Sequence, residues 1–148
     1  MWVSTEVLRH GDPVRLQYRI IRNDPEMALE AVGLDEERHD AEFVLGVDPE
    51  PLPGLATTLI GQRRGAVARV TIPAERAFGL RRAQLVFEAM RENLPQGVEI
   101  TPGMPLYTSS GQGVFHLRVV SLTERGAILD GNHPLASYAL ELDIRLLA

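Results

Sequence analysis

The sequence predicts an α+β fold in which a sheet wraps one short helix, and three observations carry that prediction. Apolar and polar residues alternate with period two through most of the chain. A single segment, residues 52–61, changes to helical spacing, and that segment lies between alternating runs. The 148 residues suffice for one sound core or two small ones, and an apolar share of 45% with evenly spread charge is that of a soluble globular protein.

Each element follows from a local signal. Val14, Leu16, Tyr18 and Ile20 alternate with polar neighbours and predict a half-buried strand, turned off by Asn23-Asp24-Pro25. Residues 29–32 read as a second short strand, and the acidic run Asp35, Glu36, Glu37 as solvated loop. Residues 42–45 form a further strand, stopped by Gly46. Pro53 suits a first helical turn and Gly61 the position just past the end, with Leu52, Leu55 and Leu59 on one face. Residues 65–72 return to alternation. Four more strands are expected at residues 85–90, 104–107, 114–122 and 127–129, separated by turn signals at Pro95-Gln96-Gly97, Pro102-Gly103, Ser110-Gly111 and Arg125-Gly126. Asp130-Gly131 favours a reversal, and Leu140, Leu142 and Ile144 mark the last strand.

Composition excludes several classes of function. A net charge of −5 argues against a basic nucleic-acid grip, and the lack of cysteine removes disulfides and thiolate metal sites. The start of the chain lacks the cationic and apolar regions of a secretory signal, and no apolar run approaches the roughly 20 residues of a membrane span. A cytoplasmic protein is the expectation. His10, His39, His116 and His133 are scattered, so no metal site is expected. Ser109-Ser110-Gly111 reads as a turn, and Gly111-Gln112-Gly113 lacks the strand-to-helix context of a dinucleotide loop. The acidic cluster Asp35, Glu36, Glu37, Asp40 reads as a solvated loop rather than a cation site.

Residues 130–136, DGNHPLA, followed by the closing strand, resemble the C-terminal signature of SlyD-like FKBP-type peptidyl-prolyl isomerases. Phe43-Val44-Leu45-Gly46, Leu52-Pro53-Gly54-Leu55, Leu59-Ile60-Gly61 and residues 72–79, IPAERAFG, resemble the FKBP core in the same order, so the likeness covers essentially the whole chain. The Phe form of the Ala-Phe-Gly loop and the short tail resemble the smaller, SlpA-type branch. The resemblance implies an FKBP-like antiparallel sheet wrapped on one short helix, with a small mostly-β insert-in-flap domain. It divides the chain into an isomerase domain of residues 1–79 plus 128–148 and an insert of residues 80–127. SlyD carries a His-rich metal-binding tail, whereas this sequence reaches Ala148 directly after the last strand.

The reaction so implied is rotation about an X-Pro amide, whose barrier of about 18–20 kcal/mol reflects lost resonance. A dry apolar pocket lowers it by binding the twisted amide better than the planar one, without nucleophile, metal or cofactor. Carried over residue by residue, the likeness makes Tyr18, Glu30 and Phe78 the candidate catalytic residues. Tyr18 matches a first-strand tyrosine, Glu30 stands for a pocket-edge Asp, and Phe78 replaces a Tyr and loses its hydroxyl. Leu29, Ala41, Leu52, Leu55 and Leu142 become candidate substrate-binding residues, with Leu55 where many FKBPs have Trp and Leu142 and Ala41 where they have rings. A lost hydrogen bond to the substrate carbonyl costs about 1 kcal/mol or somewhat more, so the activity is expected to be weak. Without the resemblance, these apolar residues read as core.

In the insert, Leu85, Phe87 and Ala89 fall on one strand face and Val86, Glu88 and Met90 on the other. Val86, Met90, Leu94, Leu106 and Phe115 are the candidate client contacts, although Leu85, Phe87, Leu94, Leu106, Phe115 and Leu117 can also fill the insert's own core. The resemblance implies unfolded or extended proline-containing polypeptides as partners, the ribosome as a candidate working site, a monomer, and no membrane. The competing readings are a holdase or interaction module with a decayed pocket, and a structural domain that keeps the fold as scaffold.

Overall fold

The computed structural model describes residues 6–110 and 113–147, which form two compact units: Met1–Leu80 with Pro134–Ala148, and Arg81–His133. The first unit contains β1 (Pro13–Ile21), β2 (His39–Val44), α1 (Leu55–Leu59), β3 (Val67–Ile72) and the last strand of the chain, β8 (Leu140–Leu146). The second contains β4 (Val86–Met90), β5 (Pro105–Ser110), β6 (Gly113–Leu122) and β7 (Gly126–Asp130).

In the first unit an antiparallel sheet of order β2-β1-β8-β3 presents one apolar face. Val14, Leu16 and Ile20 of β1 and Leu140, Leu142, Ile144 and Leu146 of β8 are buried there, as period-two alternation requires. Leu55, Ala56 and Leu59 of α1 join the same core. The helix is shorter than residues 52–61, because Gly54 adopts a left-handed φ of 80° and helical backbone starts only at Leu55. An ideal Cβ on Gly54 would lie 2.7 Å from the Arg76 carbonyl oxygen, so this close approach admits only glycine. The Glu50 carboxylate accepts from Leu55 N–H at 3.0 Å and satisfies one of the donors exposed at the helix start.

Residues 29–32 do not form the expected strand. Glu30–Val32 is a turn of 3-10 helix closed by Gly33 at φ 77°, and Met27 and Leu29, just before it, are buried in the core. A four-residue apolar run is ambiguous between helix and strand until its partners are known. The acidic run after it is loop.

The second unit is an antiparallel sheet of order β4-β7-β6-β5. Ala89, Leu94, Leu106, Val119, Ala127 and Leu129 form its core, joined by Ile100, Met104 and Leu117. Gly126 lies so close to β4 that an ideal Cβ would stand 1.9 Å from the Ala89 carbonyl oxygen. Ser109 and Ser110, expected in a turn, are strand residues opposite Val114 and Gly113, while Gly111 and Gln112 lie outside the described residues, as do Met1–Thr5 and Ala148.

Residues 128–133, expected with the first unit, lie in the second. The reason is pairing: Asp130 stands opposite both Val86 and Arg118 and closes β7. Its carboxylate, 4% exposed, accepts from Asn132 N–H at 2.9 Å, Asn132 Nδ2 at 2.8 Å and Arg81 Nη2 at 2.8 Å. Asn132 in turn accepts from Arg82 N–H and donates to the Arg82 carbonyl, lacing the chain's entry into this unit to its exit. Leu135 and Ala136 are then buried in the first unit, where Ser137, at φ 66°, donates its N–H to Gly79 O at 2.7 Å.

Candidate functional site

Tyr18 sits on the core face of the first sheet, opposite His39 on one side and Ile144 on the other. Its ring is half-buried against the core and tilted 34° to the His39 imidazole at a centroid distance of 5.6 Å. His39 Nε2 lies 2.7 Å from Asp35 Oδ1. Burial, followed by the Asp35 carboxylate, pushes the Tyr18 phenol above its ordinary value, so the hydroxyl stays protonated. The His39 hydrogen bond, and then the Glu37 N–H, hold Asp35 below the usual carboxylate range.

Glu30 is held by Arg22. Arg22 Nη2 stands 2.6 Å from Glu30 Oε1 and its Nε 3.4 Å from Glu36 Oε2, while Nη1 donates to the Met27 carbonyl. The Arg22 N–H also reaches Glu36 Oε1 at 3.2 Å. Its own backbone N–H and then Arg22 lower the Glu30 carboxyl. One guanidinium therefore organises the loop between β1 and β2, and Glu30 acts within that loop as an ion-pair partner.

Leu29, Leu52, Leu55 and Leu142 are fully buried in the core. Tyr18, Ala41 and Phe78 are partly buried and pack against that core, as do Val32, Leu34, Ala77 and Tyr138. The structure thus gathers seven of the eight predicted pocket residues on one core, four as its interior and three at its boundary, and leaves Glu30 outside in solvent. Tyr138 was not singled out from the sequence. Its signal is an aromatic side chain between the DGNHPLA turn and the last alternating run. Of the residues expected at the pocket, only Ala41 lines either of two open grooves on this unit, one of about 350 Å³ that it shares with Arg15, Leu16, Gln17, Asp40, Glu42 and Leu147, the other on β3 and β8.

In the second unit Leu94 and Leu106 are core residues, Val86 is half-buried, and Met90 and Phe115 are exposed. Phe87, opposite Leu129, and Phe115, two residues from Leu117, lie on the face that carries the core yet remain 43% and 44% exposed. Leu85, whose carbonyl accepts from Gly131 N–H, is exposed beside them. Sequence alternation identified the two faces. It did not show that the segment bearing Leu94, Ile100 and Met104 covers only part of one of them.

No three His, Cys, Asp or Glu side chains among the described residues are grouped to hold a metal ion. Among the described residues no helix is long and apolar enough to cross a membrane.

An antiparallel sheet over one short helix, with a second β unit entered after the Ala-Phe-Gly loop and left before the closing strand, is compatible with an FKBP-like α+β protein. The chain is 34% identical over 93 residues to the FKBP-type peptidyl-prolyl cis-trans isomerase SlyD of Treponema pallidum, a match covering 63% of the chain and 53% of that protein. It is 28% identical over 151 residues to the short-type peptidyl-prolyl cis-trans isomerase of Methanocaldococcus jannaschii, covering 95% of the chain and 92% of the relative. The SlyD of Aeromonas hydrophila matches at 31% identity over 63% of the chain and 43% of its own length. The match thus spans about half the length of the two SlyD relatives. No protein-family model matches the chain. The chain is thus similar to FKBP-type, SlyD-like peptidyl-prolyl cis-trans isomerases.

Proposed function

We propose that this protein is a peptidyl-prolyl cis-trans isomerase of the SlpA-type branch that acts on folding polypeptides, with its second unit as an insert-in-flap chaperone domain. The observation that carries the reading is the end-to-end similarity to a relative named as a short-type peptidyl-prolyl cis-trans isomerase, across 95% of this chain. In support, Tyr18 and Phe78 stand at the boundary of one core with Leu29, Leu52, Leu55 and Leu142 behind them. An X-Pro amide held against those rings leaves water, and a twisted amide, less conjugated and less dependent on hydration, gains more from that transfer than a planar one. The protonated Tyr18 hydroxyl is the available donor to the substrate carbonyl. With Phe78 and Leu142 in place of a tyrosine and a ring, the rate enhancement is modest.

The chaperone half draws support from Leu85, Phe87 and Phe115, exposed on the core-bearing face of the second unit, which suit extended apolar segments of many sequences. Unfolded proline-containing chains in the cytoplasm are the partners of this reading. The test is proline-limited refolding of a client with catalytic amounts of the intact chain and of Tyr18→Ala. Acceleration by the intact chain that falls about tenfold in the variant supports the isomerase; no acceleration above the uncatalysed rate sinks it. For the chaperone half, Phe87→Ser with Phe115→Ser should abolish suppression of client aggregation, and undiminished protection would count against it.

A further inference from the structure

Glu30, the carboxylate expected at the pocket edge, is exposed and held by Arg22, so Tyr18 takes its support from other groups. Period-two alternation in β2 puts His39, Ala41 and Phe43 on the side of Tyr18, Leu16 and Val14 of β1. Ala41 brings only a methyl group, and Phe43 lies farther along, opposite Val14. The ring that β2 sets against Tyr18 is therefore the His39 imidazole. Its centroid stands 5.6 Å from that of the phenol at a tilt of 34°, within the range in which aromatic rings attract.

The imidazole is braced in turn. Asp35 Oδ1 lies 2.7 Å from His39 Nε2 and accepts from Glu37 N–H at 2.9 Å, so two bonds fix one oxygen. An ionised carboxylate only accepts, which assigns the proton of this pair to Nε2. Residues on both sides of Asp35 are anchored. Leu34 packs on the core and donates its N–H to Leu29 O at 2.9 Å, while Glu36 is held by Arg22 through Nε at 3.4 Å and through the backbone N–H at 3.2 Å. A chain of contacts thus runs from Arg22 through the loop to Asp35, His39 and the phenol.

We propose that His39, braced by Asp35, is a positioning residue for Tyr18, fixing the ring so that its hydroxyl is presented to the carbonyl of a bound X-Pro segment. The proposal rests on the isomerase reading of the same site. A tyrosine on a strand has two common settings of its first side-chain torsion, and a half-buried ring is not confined to one of them by the core alone. The imidazole against one side of the ring selects a single setting, and Asp35 keeps the imidazole there. A donor held in one place matters because a displacement of about 1 Å at a reacting group is enough to cost much of a rate enhancement. His39 and Asp35 act through Tyr18, and neither exchanges a proton with the substrate.

The test is isomerisation of a proline-containing peptide by the full chain, by His39→Ala, by Asp35→Ala and by the double variant. Each single change should lower kcat/KM about fivefold and the double change no more than about tenfold, because both remove one brace, whereas independent contributions would multiply to about 25-fold. Asp35→Asn, which keeps an acceptor for His39 and Glu37, should recover most of the loss. In a Tyr18→Phe background, with no hydroxyl left to aim, Asp35→Ala should change kcat/KM less than about twofold. A second readout needs no activity. The phenol component lost in Tyr18→Phe should ionise closer to the ordinary tyrosine value in His39→Ala, where the ring loses cover, and in Asp35→Ala, where it loses a neighbouring negative charge. Multiplying losses, an equal effect of Asp35→Ala with and without the Tyr18 hydroxyl, or a phenol unmoved in both variants would overturn the proposal. No acceleration by the unaltered chain would sink the isomerase reading instead, and the phenol titration would then decide the brace by itself.

Discussion

Asp130→Ala should selectively loosen the second unit, and the structure sets the size of the effect. The carboxylate is almost fully buried and accepts three hydrogen bonds, two from Asn132 and one from the Arg81 guanidinium. Hydrogen bonds to a charged group contribute about 1.5–3 kcal/mol each when removal leaves the partner dry. Here the Arg81 side chain is half exposed and water recovers part of that loss, so the total falls to about 2–4 kcal/mol. The readout is hydrogen exchange at the amides of β4 and β7, which should accelerate roughly 30- to 1,000-fold at neutral pH. The pH dependence has a definite sign. Burial alone raises the Asp130 carboxyl, but Asn132 and Arg81 outweigh it and the net shift is downward. A group whose folded value lies below its unfolded one stabilises fully above the ordinary carboxylate range, about 4, and that contribution is lost as pH falls through the lowered folded value. The difference between Asp130→Ala and the unaltered chain should therefore shrink in acid. Exchange at β4 and β7 changed less than about threefold at neutral pH, or a difference that grows in acid, would refute the reasoning.

Three further outcomes follow from single contacts. Gly126→Ala must push β7 off β4, because its Cβ would sit 1.9 Å from a backbone oxygen that cannot rotate away, so denaturant unfolding should show a loss of about 3 kcal/mol or more in the second unit. Leu142→Ala, at a fully buried position on β8, should cost about 2–5 kcal/mol in the first unit, measured in the same way; a cost under about 1 kcal/mol would mean the site is not packed as described. In an ultraviolet titration, the component lost in Tyr18→Phe should rise above the ordinary tyrosine value, reflecting burial first and Asp35 second. A lost component at or below that value would contradict this environment.

Much of the first unit was legible because alternation is a local property. Leu16, Leu142 and Ile144 face the core wherever their strands are placed, since a one-residue slip would turn every side chain outward. Helix length was not legible, since it depended on Gly54 passing against the Arg76 carbonyl, a contact across 22 positions of sequence. The return to the first unit was placed too early because Asp130 belongs to whichever strands it pairs with, and those begin at Val86 and Gly113. At the candidate site, residue types pointed to one apolar cluster. They did not reveal that Glu30 would meet Arg22, or that His39 would stand beside Tyr18.

By itself the sequence determined most of the element types and their order, and it carried the family resemblance, because turn chemistry, side-chain period and short ordered motifs are written in neighbouring residues. Only the tertiary structure decided which apolar residues are interior and which are boundary. It separated Leu94 and Leu106 from Phe87 and Phe115, and Leu142 from Tyr18 and Phe78. The physical reason is that burial depends on what folds over a side chain. That cover comes from parts of the chain far away in sequence, and no local pattern records it.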